Sequence, residues 1–123
     1  MTADLGTVLV KLDSYAAELD SCSRKLADVE SELEPLNNVY EEAMDDAEAS
    51  FWERHEDEGD KLPPQHMREV LARRSIKREI REQRAVLLSR RKRLEKRIRT
   101  LSDLVDAQRS ILSALKAELE AVR

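Results

Sequence analysis

Leu5, Leu12, Leu19, Leu26 and Leu33 recur every seven residues through the start of this chain, and Tyr40 and Ala47 continue the same phase. Val8, Tyr15, Cys22, Val29, Leu36 and Ala43 follow three residues behind them. These are the a and d positions of successive heptads. Alternating three- and four-residue spacing held this long specifies a helix with one narrow apolar seam, because a repeat of 3.5 residues keeps that seam facing a partner helix. The second half carries a similar series, Leu94, Ile98, Leu101, Val105, Leu112, Leu115, Leu119 and Val122, interrupted by Gln108. Nearer its start the seam weakens and drifts through Ile76, Ile80, Gln83 and Leu87, with Arg84 and Arg91 close by. Both arginines are expected to lay their methylene stems along the seam.

The rest of the composition agrees with long helices. Of 123 residues, 39% are charged and 3% aromatic, with two glycines and three prolines. A β-sandwich needs more turn and β-branched residues, and a doubly wound nucleotide enzyme needs a glycine-rich phosphate loop. His55-Glu56-Asp57-Glu58-Gly59-Asp60-Lys61-Leu62-Pro63-Pro64 is the one cluster of breakers. Gly59 suits the left-handed backbone that ends a helix, and proline suits the start of the next. Pro35 lies inside the first heptad series and predicts a kink or short break there.

Charge is sorted along the chain. Residues 1–60 hold 18 acids and 4 bases, whereas residues 68–99 hold 14 bases and 4 acids. Folding the chain about residue 60 sets the acidic arm against the basic one. The expected architecture is therefore all-α: two long helices in an antiparallel coiled-coil hairpin forming a single domain over 1–123. Helix one spans about 4–57, the turn about 58–63 and helix two about 64–121. Leu9 and Val10 widen the first seam, and Leu88, Leu104 and Ile111 widen the second, which predicts that two hairpins associate as a homodimeric four-helix bundle or that a partner helix docks there.

The residues that could carry chemistry are few. The acidic turn with His55 and His66 matches neither a calcium loop nor a zinc pair, so no metal and no cofactor is expected. A rod without an enclosed pocket offers carboxylates no desolvation, so no catalytic residues are expected and the chain reads as a non-enzyme. Cys22 sits at a d position, where it packs as a small apolar side chain. The candidate protein-interface residues are Leu9, Trp52, Leu104 and Ile111. The candidate nucleic-acid residues are Arg90, Arg91, Lys92, Arg93, Lys96, Arg97 and Arg99, a cationic run of the kind that meets phosphate backbones. No apolar run approaches membrane-spanning length and the start lacks a signal-peptide pattern, so a cytoplasmic location is expected.

Asp4-Leu5-Gly6-Thr7-Val8-Leu9 with Leu12-Asp13, and Ile98-Arg99-Thr100-Leu101, Gln108-Arg109-Ser110 and Ala114-Leu115-Lys116-Ala117-Glu118, resemble small coiled-coil accessory proteins of actinobacterial phages. That group is often encoded near recombination and replication genes. The resemblance covers both ends of the chain and transfers no site residues. It implies a phage accessory role in the cytoplasm of the bacterial host, and the expected function is a protein-interaction module acting on a DNA-metabolism or host protein. The alternative is a nucleic-acid-binding accessory that uses the basic second helix.

Leu101→Asp puts an unpaired charge on the seam and is expected to cost more than about 4 kcal/mol, enough to unfold the packed helices. Circular dichroism and sedimentation measure it; unchanged helicity and size would count against the seam.

Overall fold

The computed structural model describes residues 4–122. Its regular structure is helical: α1 spans Leu5–Asp57, α2 Gln65–Ser75 and α3 Arg78–Ala121. The long helices α1 and α3 pack together. Three helices replace the expected two-helix antiparallel hairpin, and the four-helix bundle built from such hairpins goes with it. No described helix is long and apolar enough to cross a membrane.

The segment read as one second helix is divided at Ile76 and Lys77. Ile76 has extended backbone, φ −78° and ψ 137°, and its N–H bonds the Arg73 carbonyl at 3.2 Å. The Ser75 hydroxyl donates to the Ala72 carbonyl at 2.6 Å, so a side chain satisfies an acceptor that the helix end leaves free. Lys77 stands just before α3, its carbonyl accepting from the Arg81 N–H at 3.1 Å. No glycine or proline marks this point. A β-branched residue takes extended backbone readily, and Ile76 is buried in that conformation.

The chain divides into two compact units. One joins the chain up to Asp28 with the chain from Arg90 onward. Its core is the seam of Val8, Cys22 and Leu101, with Leu12, Tyr15, Leu19, Leu94, Ile98 and Val105 half-buried around it. Arg97 flanks that seam and donates to the Glu18 carboxylate at 2.6 Å. Gln108 lies on the seam too, and its side-chain oxygen has no hydrogen-bond partner.

The other unit is Val29–Ser89. Val29, Leu33, Ala72, Ile76 and Leu87 are buried in it. Pro35 stands within α1, which stays helical through it. The short break allowed for at that point does not occur, and the buried Val29 and Leu33 hold the preceding turns. At its end α1 is closed by the turn: Gly59 adopts φ +73°, and the Glu58 and Asp60 N–H groups both reach the Arg54 carbonyl, at 3.0 and 3.3 Å. The His55 Nδ1–H donates to the Asp60 carbonyl at 2.8 Å. Within this unit Asn37 meets Arg84 and Glu48 meets Arg68, so partner numbers fall as α1 rises.

The break also resets the heptad phase. From Ile80, the half-buried or buried Arg84, Leu87, Arg91, Leu94, Ile98, Leu101, Val105, Gln108, Leu112 and Leu115 of α3 form an unbroken alternation of four and three, with Leu88, Ser102, Leu104 and Ile111 half-buried beside it. Arg84 and Arg91 are therefore seam residues in their own right. Arg84 stacks 4.1 Å over the Tyr40 ring and its Nε–H donates to the Asn37 Oδ1 at 2.8 Å. That pairing replaces an apolar contact at a position where a charge would otherwise be costly.

Gln108→Leu removes a polar atom whose desolvation is uncompensated and is expected to raise stability by about 1–3 kcal/mol. Urea denaturation checks it; a loss of stability would show that the amide is satisfied after all.

Candidate functional site

α2 owes its position to one arginine. Arg68 donates from Nε to both Glu48 oxygens, at 2.9 and 3.1 Å, and from a terminal nitrogen to the Pro63 carbonyl at 2.7 Å. Its guanidinium lies 5.7 Å from the Trp52 ring centroid, and the Trp52 indole N–H donates to the same Glu48 carboxylate at 3.1 Å. The arginine side chain is 12% exposed and Glu48 42%, so the arginine is largely desolvated while its partner keeps water. Planar donors matched to a carboxylate make this the most directional contact between α1 and α2. Ala72 and Ile76 add the apolar part of that contact.

With Arg68, Ala72 and Ile76 turned to α1, the rest of α2 faces outward. Met67, Val70 and Leu71 are 46%, 40% and 39% exposed. At 100° per residue they lie about 100–160° around the helix from Ala72. They form an i, i+3, i+4 apolar patch that is exposed on α2. Beside it runs an open groove of about 420 Å³ whose lining includes Ala43, Ala47, Ser50 and Phe51 of α1 and Leu71 of α2. Small side chains at Ala43, Ala47 and Ser50 leave the space. Arg54 and Asp46 are its charged edges. Arg73, Arg74 and Lys77 are exposed nearby in sequence, and among the described residues none of them has a carboxylate within 4 Å.

Of the interface residues expected from sequence, Leu9 and Trp52 are exposed, whereas Leu104 and Ile111 are half-buried. Leu9, Leu104 and Ile111 belong to one unit and Trp52 to the other. Trp52 is partly occupied by Arg68 and stands edge-on to the His55 ring, 6.1 Å between centroids. In the basic run, Arg90, Lys92, Arg93, Lys96, Arg97 and Arg99 are exposed, and Arg91 sits on the seam, 3.8 Å from Glu95. Cys22 is buried as a free thiol. Among the described residues no three His, Cys, Asp or Glu side chains gather into a group that could hold a metal.

Met67, Val70 and Leu71 were legible only as a short amphipathic repeat. Their phase differs from that of Ala72 and Ile76, and this mismatch is the signal that α2 has two apolar sides. No family model matches the sequence, and neither curated proteins nor solved structures show a significant match to it.

Arg68→Ala is expected to cost about 2 kcal/mol, the range for hydrogen bonds to a charged partner, and to release α2. Hydrogen exchange at the amides of residues 67–75 would accelerate at least tenfold while those of residues 94–105 keep their protection; equal protection in α2 would show that the apolar contact suffices.

Proposed function

We propose that the chain is a non-enzymatic protein-interaction module and that the outward face of α2, with the groove beside it, is its docking surface. The observation that carries this reading is the patch of Met67, Val70 and Leu71, three large apolar side chains in helical register, exposed together on a helix whose opposite side is already packed. Single exposed leucines are ordinary on protein surfaces, but a contiguous patch next to a groove marks an interaction site.

Charge selects the occupant. Arg54 edges the groove, and Arg73, Arg74 and Lys77 stand close to the patch in sequence without carboxylate partners. A second copy of α2 on this face would bring arginine against arginine. An amphipathic helix whose apolar stripe is bordered by Asp and Glu fits both features, laying its stripe into the groove and its acids against the arginines. What supports a phage setting for such a partner is the likeness of the two chain ends to phage coiled-coil proteins.

A synthetic 20-residue peptide with Leu at i, i+3, i+4 and i+7 and Glu at the remaining surface positions is the probe, with Lys for Glu as its control. Titration calorimetry and the fluorescence of Trp52, the only tryptophan in the chain, measure binding. The acidic peptide is expected to bind at least tenfold tighter than the basic one, and Leu71→Glu or Met67→Glu to weaken it at least tenfold with helicity unchanged. Equal binding of the two peptides, or variants without effect, would overturn the reading. Dimerisation abolished by the same substitutions would place a second copy on this face instead.

A further inference from the structure

Between Ser89 and Asp103 the chain has seven basic residues and one acid, Glu95. The structure sorts these cations into two groups. Arg91 points along the seam and lies 3.8 Å from Glu95, and Arg97 is held 2.6 Å from Glu18. Asp20, the other acid of α1 near Glu18, is held by Arg24 at 2.9 Å. Lys92, Arg93, Lys96 and Arg99 are exposed, and among the described residues none of them has a carboxylate within 4 Å. Arg90 is exposed as well but falls at the edge of the seam.

Helical geometry puts the free cations together. At 100° per residue Lys92, Lys96 and Arg99 fall within about 60° of one another, on the side of α3 opposite Leu94, Ile98 and Leu101, and Arg93 flanks them. The row is about 10.5 Å long at 1.5 Å per residue. No apolar side chain lies on that face between Ser89 and Asp103, since Thr100 is its remaining member. A protein partner would need an apolar anchor there. A polyanion would not.

We infer that Lys92, Arg93, Lys96 and Arg99 form a binding site for the phosphodiester backbone of nucleic acid. The negative charge of the whole chain, −4, does not oppose this locally. The unit that carries the row holds 13 bases and 10 acids, and charges beyond about 8 Å are screened at physiological salt. B-form DNA presents a negative charge about every 1.7 Å of its axis, so the row spans roughly six phosphates. α3 has no aromatic residue, so the site offers no aromatic ring on which a base could stack. Recognition is therefore of the backbone alone, indifferent to sequence, through cations outside the seam. This site is independent of the α2 surface.

Fluorescence anisotropy of two labelled 20-base-pair duplexes of unrelated sequence, titrated with the full chain, tests the assignment. Four cations give an expected slope of log affinity against log salt of about −3.6 at about 0.9 per phosphate, a loss of affinity on the order of a hundredfold between 50 and 200 mM salt. Both duplexes should behave alike. Lys92→Gln/Arg93→Gln/Lys96→Gln/Arg99→Gln should abolish binding, whereas Arg91→Gln/Arg97→Gln, which removes the engaged cations, should leave the slope within about one of the original. If the fourfold variant loses helicity, Lys96→Gln alone decides, through a slope smaller by about one. No binding at 50 mM salt, equal losses in the two variants, or binding to phosphatidylserine vesicles with none to DNA would overturn the proposal.

Discussion

A seam one side chain wide governs this molecule. Val8, Cys22, Val29, Leu33, Leu87 and Leu101 are buried because α1 and α3 present matching rows at alternating three and four residues. Such a row encloses only a strip of each helix. Every residue off the strip faces water unless something else covers it, so the surface is where the helices differ from a generic coiled coil. Polar members of the seam have to be satisfied within it. Arg84 achieves this through the Tyr40 ring and Asn37, while Gln108 does not.

The division at Ile76 gives the second half of the chain two roles. In α3 the alternation runs from Ile80 without a skip, and charges outside it are left to solvent or to flanking carboxylates. In α2 the apolar residues occupy two sides, and only one side is used by α1. Arg68 fixes which side that is, because its fork is committed to Glu48 and Pro63. The exposed patch of Met67, Val70 and Leu71 is thus a consequence of the clamp and of the break together. A helix continuous through residue 76 would carry these side chains in a different phase relative to the α3 seam.

Much of this was legible in the sequence. The heptads of α1 and of distal α3, and the left-handed Gly59, follow from residue spacing and from the freedom of glycine. The break at Ile76 was not, because it uses neither glycine nor proline; it depends on burial of one isoleucine and on a serine hydroxyl returning to Ala72. Arg84 and Arg91 looked like neighbours of a drifting seam because the phase was carried through the break rather than restarted after it. The cationic run was visible as composition, but the pairing of Arg97 with Glu18 joins residues 79 apart. Only the packed helices separate the engaged cations from the free ones.

The separation of α2 from α3 underlies the docking surface and the restarted seam alike, and the backbone of Ile76 reports it directly. Carbon chemical shifts measured by NMR across residues 72–80 are expected to be helical up to Ser75, extended at Ile76 and helical again from Arg78. Helical shifts running without interruption through Ile76 and Lys77 would contradict the account.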